Sequence, residues 1–190
     1  MWGRGLRFGA KKALALLCYL AAEGKKYPRG ELAELLWPRS DRRHARTDLR
    51  STLSRLRRAL REGGGRGEGV DLFAVEGDLL GVDPGGVELD LQTLEAAVSL
   101  ARGGTSEPPI RISLRDRSAN DTVGHRDLLA RLEGTLGIYG GEFMEDFSLK
   151  DAPEFELWLE VERARWRSLF GELCEEVSRL RAGAGPDIGV

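Results

Sequence analysis

Residues 41–61 impose the tightest constraint on this chain. Leu49, Leu53, Leu56 and Leu60 stand at i, i+4, i+7 and i+11, so a helix here places all four on one buried face. Arg46, Arg50, Ser54, Arg57 and Arg61 share a spacing of three and four on another face, with Thr47, Ser51 and Arg58 beside them. Eight arginines fall in this stretch (Arg42, Arg43, Arg46, Arg50, Arg55, Arg57, Arg58 and Arg61), against Asp41, Asp48 and the neighbouring Glu62. Ser40 or Asp41 is expected to cap the helix, because either side chain can accept a hydrogen bond from an unpaired backbone N–H. The fold must bury the leucine side and leave the arginine side in water.

The charge is unevenly distributed. Residues 1–62 carry 16 lysines and arginines against 6 acids, while residues 63–190 carry 13 against 25, so a net charge of −2 conceals a basic third and an acidic remainder. That split suggests two modules, one suited to a polyanion and the other to a protein partner. A length of 190 residues allows one medium domain or two small ones and excludes a large α/β barrel. Two cysteines give neither a disulfide framework nor a metal cluster, which points to a reduced, cytoplasmic protein. No apolar stretch approaches the roughly 18 residues needed to span a bilayer, so no membrane partner is expected.

Ahead of the arginine helix, Arg4, Arg7, Lys11 and Lys12 precede the apolar run 13–22. The outline resembles a secretory signal. The helical spacing of Leu14, Leu17, Cys18 and Ala21 instead predicts an amphipathic helix over about 10–23, closed by Gly24. Pro28 is expected in the first turn of a second helix with the stripe Leu32, Leu35 and Leu36, ended by Pro38.

After the arginine helix, five glycines in 63–69 predict a flexible loop that lacks the features of a P-loop. Residues 72–75 and 79–82 flank Glu76-Gly77-Asp78 and read as a β-hairpin. Residues 83–86 have turn chemistry and mark a domain boundary, giving domains 1–84 and 85–190.

The second domain reads as helical. Leu91, Leu94, Ala97, Val98 and Ala101 define one helix, and Leu128, Leu129, Leu132 and Leu136 another. Residues 103–121 read as a loop with a short alternating piece at 110–114. A long helix follows, with a capping box expected from Asp151 and Glu154. Its stripe is Phe155, Trp158, Leu159, Trp166, Leu169, Phe170, Leu173, Val177 and Leu180. Helix pairs with aromatic anchors suggest a small tetratricopeptide-like (TPR-like) stack. A stack this short leaves an apolar groove for a partner or a second subunit, so a homodimer is possible.

Three helices followed by a hairpin is the order of a winged helix-turn-helix. Arginine's planar fork can hold a phosphate, or the N7/O6 edge of guanine, at two points. Serine and threonine add short contacts, and such a helix fits a major groove about 12 Å wide. The competing reading is a solvated basic face stabilised by local pairs.

Three strings in the first half, KALALLCYLAA (12–22), ELAELLWP (31–38) and ARTDLRSTLSRLRRAL (45–60), resemble the OmpR-type winged-helix domain of SARP-class bacterial transcriptional activators. VELDLQTLE (87–95), YGGEFMEDF (139–147) and WLEVERARW (158–166) resemble the bacterial transcriptional activator domain that follows it in that class. The resemblance covers nearly the whole chain and rests on the combination in this order.

It implies a mainly α protein, with a winged helix-turn-helix followed by a TPR-like domain, that binds double-stranded DNA and recruits RNA polymerase. The third helix would enter the major groove, with Arg50, Ser51, Ser54 and Arg55 near base edges and Arg46, Thr47, Arg57 and Arg58 toward phosphates. Trp37, Pro38, Arg39 and Asp41 match the loop that faces polymerase in that class. Two departures are visible. Only residues 1–9 precede the first helix, where the family has a small sheet, and the wing carries Glu76 and Asp78 but no arginine. Larger relatives also continue into an ATPase and sensor repeats, beyond where this sequence stops.

No enzymatic activity or cofactor is expected. His44 reads as a surface residue, and His125 has no second ligand at metal spacing. Cys18 and Cys174 read as core residues. Glu175 and Glu176 are adjacent, so they do not face each other on a helix. The alternative function is a helical interaction or dimerisation module that does not bind DNA.

Overall fold

The computed structural model describes residues 11–63, 72–83, 90–102, 125–138 and 141–183. These residues are mainly helical, with one small antiparallel sheet. In order they form α1 (Lys11–Glu23), β1 (Tyr27–Pro28), α2 (Arg29–Leu36), α3 (Arg42–Gly63), β2 (Phe73–Glu76), β3 (Leu79–Val82), α4 (Asp90–Ala101), α5 (His125–Ile138) and α6 (Pro153–Gly183). The glycine-rich loop beyond Gly63, the 83–86 boundary beyond Asp83, the alternating piece at 110–114 and the segment before α1 lie outside the described residues.

Contacts divide the chain into two compact units. The first joins Met1–Glu88 with Asp146–Glu160, and the second joins Leu89–Glu145 with Val161–Val190. The sequence reading places a single boundary between 84 and 85. The contacts instead put residues 146–160, including the first turns of α6, with the amino-terminal helices.

In the first unit, α3 behaves as its leucines require. Leu49, Leu53 and Leu56 are buried with Ala45 and Thr52, while Leu60 near the end is only half-buried. On α1 the buried residues are Ala13, Ala15, Leu16, Leu20 and Ala21, which corrects the expected stripe of Leu14, Leu17, Cys18 and Ala21. Nearly the whole of α1 is apolar, so a 3.6-residue period fits more than one starting residue. Packing, not the pattern, selects the face. Gly24 closes α1 from just beyond its last residue, and its N–H still reaches Leu20 O at 3.2 Å.

The sheet has the order β1-β3-β2. β2 pairs with β3 through Phe73↔Val82 to Glu76↔Leu79, around a turn in which Gly77 adopts φ +59°. β1 pairs with β3 through Tyr27↔Leu80 and Pro28↔Leu79. A two-residue strand has no alternation to read, and its proline is tolerated because β1 lies at the edge. Pro28 therefore precedes α2 and does not occupy its first turn.

α6 starts at Pro153, a favoured first helical position. Asp151 is one residue short of the capping position, and its carboxylate instead pairs with Lys12 at 2.6 Å. The expected capping box does not form. Glu156 bonds back to Leu149 N and, at 3.3 Å, to Ser148 Oγ.

The second unit is built from α4, α5 and α6 from Val161 onward. Leu94, Ala97, Val98, Leu132, Trp166, Leu173, Val177 and Leu180 are buried, while Leu128, Leu129, Leu136, Leu169 and Phe170 of the expected stripes are half-buried. Arg163 donates from Nε to Phe143 O at 3.1 Å and from Nη2 to Met144 O at 2.7 Å. Two of the strings singled out in the sequence thus meet through one arginine. The turn it holds includes Met144 in the left-handed region at φ 48°, which external bonds must sustain.

Candidate nucleic-acid interface

The site begins at the cap of α3. Asp41 Oδ1 accepts the N–H groups of Arg43 and His44, each at 3.0 Å, so Asp41 and not Ser40 is the capping residue. Its Oδ2 contacts His44 Nδ1. Those bonds hold the Asp41 carboxyl below the ordinary carboxylate range and raise His44 above its usual value.

Beyond the cap, the predicted contact residues cover about half the circumference of the helix, counted at 3.6 residues per turn. Arg46, Thr47, Arg50, Ser51, Ser54, Arg55 and Arg58 are exposed, and Arg57 is half-buried. They differ in what already engages them. Arg57 lies over the Phe73 ring, 5.7 Å from its centroid, which ties it to the hairpin. Arg46 Nη2 pairs with Asp78 Oδ2 at 3.0 Å. Thr47 Oγ1 donates to Arg43 O at 3.0 Å, and Arg58 pairs with Glu62 at 3.8 Å. Among the described residues, no hydrogen bond or ion pair engages the side chains of Arg43, Arg50, Ser51, Ser54, Arg55 or Arg61. At 3.6 residues per turn Arg46 and Arg57 form one edge of the exposed face, the engaged Thr47 and Arg58 lie within it, and the unengaged groups run from Arg50 through Arg43, Arg61, Ser54 and Ser51 to Arg55 at the opposite edge.

Both acids of the hairpin tip are paired. Asp78 holds Arg46, and Glu76 accepts from Lys26 Nζ at 2.9 Å, a bond that lowers the Glu76 pKa. The negative charge noted in the sequence is therefore matched by cations of the same unit.

Residue 29 escaped the sequence reading. Arg29 N donates to Asp78 O at 2.9 Å, and Arg29 lines a cavity of about 140 Å³ with Arg46, Leu49, Arg50, Leu53 and Asp78. Its Nε is buried and has no partner. The available signal was the Tyr-Pro-Arg-Gly sequence, in which the arginine directly follows the proline that precedes α2.

The residues matched to the polymerase-facing loop lie between α2 and α3. Trp37 is half-buried beneath Lys12 Nζ, 5.1 Å from its ring centroid, and Ser40 N closes the turn onto Trp37 O at 3.1 Å. Pro38 and Arg39 are exposed, and Asp41 is engaged as the cap.

Among the described residues no group of three or more His, Cys, Asp or Glu could hold a metal ion, and no helix is long and apolar enough to cross a membrane. Cys18 and Cys174 are half-buried, not enclosed, and neither forms a disulfide. Compared with family models, curated proteins and solved structures, the chain matches none.

Proposed function

We propose that the first unit is a winged helix-turn-helix that binds double-stranded DNA, with α3 in the major groove. The chain would act as a cytoplasmic transcription activator that contacts RNA polymerase, with neither catalysis nor a cofactor. The observation that carries this reading is the division of α3: its leucines are buried, while Arg43, Arg50, Ser54, Arg55 and Arg61 are exposed and unengaged among the described residues. The order α1-β1-α2-α3-β2-β3, with β2 and β3 as the wing, supports it. The α4–α6 unit is read as a TPR-like module for dimerisation or effector contact.

Phosphate contacts should dominate affinity. Six of them would weaken binding roughly a thousandfold between 50 and 200 mM salt. A gel-shift titration over that range tests the reading, and a flat response overturns it.

A second reading, an interaction module that binds no DNA, draws on Leu157 and Val161. They stand one turn apart on α6 and are 69% and 58% exposed. Size-exclusion chromatography with and without duplex DNA separates the two readings.

A further inference from the structure

The cavity shared by α2, α3 and the hairpin turn is unusual in its charge. Three arginines, Arg29, Arg46 and Arg50, line it with a single carboxylate, that of Asp78. Its apolar lining is Leu49 and Leu53, each 2% exposed, and charge interactions beside such groups are stronger than in open water. Its volume, about 140 Å³, is several times the roughly 30 Å³ occupied by one water molecule.

The arginines are not satisfied from within. Asp78 Oδ2 takes one donor, Arg46 Nη2, at 3.0 Å. Arg29 Nε is buried without a partner, and Arg50 has no partner among the described residues. A buried charged donor left unpaired is costly and calls for an acceptor. The turn is fixed at two points of Asp78, its side chain to Arg46 and its carbonyl to Arg29 N at 2.9 Å.

We propose that Arg29, Arg46 and Arg50 form a phosphate-binding pocket, with Asp78 as the internal counter-ion that holds Arg46 in place. This rests on the DNA-binding reading in one respect: the phosphate is taken to be one of the duplex backbone. A tetrahedral oxyanion offers several acceptor oxygens to planar forks that approach from different sides. Arg50 then belongs with the phosphate-contacting residues and not with the base-reading ones. Arg29, at the start of α2, becomes a DNA contact outside α3.

The test uses the full chain and Arg29→Gln, Arg29→Lys and Arg50→Gln, each checked for a native circular dichroism spectrum. Duplex binding is followed by fluorescence anisotropy from 50 to 200 mM salt, on two duplexes of unrelated sequence. Arg29→Gln should lower the slope of log affinity against log salt by about 0.9, equally on both duplexes. Arg29→Lys should restore the slope, because it returns the charge without the fork. Arg50→Gln should repeat the uniform loss, and it stands in if Arg29→Gln fails to fold. If the wild type binds duplex and both glutamine variants keep its slope and affinity, or lose affinity on one sequence only, the pocket is refuted and the DNA reading survives.

Inorganic phosphate forms the second arm, read as a shift in thermal midpoint. Duplex binding lost uniformly in the variants identifies the backbone as the source. A phosphate-dependent midpoint in the wild type, lost in Arg29→Gln, with no duplex binding supports the pocket and overturns its DNA source. No response in either arm overturns the pocket and its source together.

Discussion

The indole N–H of Trp158 donates to Oε1 of Glu23 at 2.9 Å, joining residues 135 positions apart. Oε2 of the same carboxylate accepts from Tyr27 Oη and faces Lys25 Nζ at 3.3 Å. Tyr19 lies between the two aromatic donors, its centroid 5.1 Å from Tyr27 and 4.8 Å from Trp158. One carboxylate thus fastens the end of α1 to the start of α6 within the first unit. Burial raises the Glu23 pKa, but the bonds from Tyr27, Trp158 and Lys25 outweigh it and the net shift is downward. Tyr27 moves the other way, to about 12, through burial and then its bond to Glu23.

Replacing Glu23 by alanine should destabilise the first unit by about 1–3 kcal/mol. That is the usual effect of stranding a part-buried donor, here on Trp158 and Tyr27. Glu23→Gln keeps one acceptor and should lose less. Urea unfolding read by circular dichroism measures both, and equal midpoints for all three proteins would refute the role assigned to this carboxylate.

The same carboxylate gives stability a pH dependence of definite sign. Its folded pKa lies below the ordinary value of 4.5, so the unfolded chain takes up the proton first as pH falls. Its contribution is complete above about pH 4.5 and is lost as pH falls through the folded value. Asp151 acts in the same direction: the Lys12 ammonium lowers it from its ordinary 3.8, against a smaller opposing effect of burial. Wild-type urea midpoints should decline below pH 4.5 more steeply than those of Glu23→Gln, and parallel curves would contradict the assignment.

A chain ending at residue 84 should be markedly less stable than the full one. The first unit includes residues 146–160, in which Leu149, Ala152, Phe155 and Leu159 are buried. Phe155 meets Phe147 at 6.1 Å and Trp158 at 5.2 Å between centroids. Losing one buried phenylalanine alone costs about 3–5 kcal/mol. Thermal unfolding of the two proteins decides it, and an unchanged midpoint would show that residues 1–84 need nothing from this segment.

What the sequence disclosed, and what it hid, follows from the range of the interactions. α3 was legible because its leucines and arginines separate cleanly by period, but its cap was narrowed only to Ser40 or Asp41, and the bonds from Arg43 N and His44 N decide for Asp41. The face of α1 was not legible, since apolar residues surround that helix and only tertiary packing selects Leu16 and Leu20. β1 escaped because two residues carry no period. The union of residues 146–160 with α1 escaped because Glu23 and Trp158 give no local signal of each other. On the candidate interface, spacing found the exposed face, yet the ties of Arg46 to Asp78 and of Arg57 to Phe73 depend on where the hairpin folds. Arg29 lies on another helix, beyond the reach of any periodicity in α3.

Gly81→Ala should weaken the sheet. A methyl group there would meet Lys26 Cγ at 2.9 Å, Lys25 O at 3.2 Å and Lys26 Cα at 3.3 Å. Two of those atoms are backbone leading into β1, so relief requires β1 to move away from β3. Overpacking of this kind costs about 1–3 kcal/mol. An unchanged urea midpoint would show that β1 yields without loss.

Arg55 and Arg58 should separate base reading from phosphate attraction. Both are exposed on α3, so alanine at either should alter stability by no more than about 0.5 kcal/mol. Arg58 already pairs with Glu62 at 3.8 Å, an exposed pair weak enough to be exchanged for a phosphate. Its loss should lower the salt slope by about 0.9 and weaken all duplexes alike. Arg55 has no partner among the described residues, and the resemblance to the winged-helix activators implies a position near base edges. Its loss should cost on the order of 1–3 kcal/mol on a selected site and much less on unrelated DNA, relaxing preference at one position. Selecting bound fragments from a random duplex pool with wild type and both variants measures the two effects together. A pool selected by Arg55→Ala that matches the wild-type pool would remove Arg55 from the base-reading set, and a wild-type slope for Arg58→Ala would leave its guanidinium in water beside Glu62.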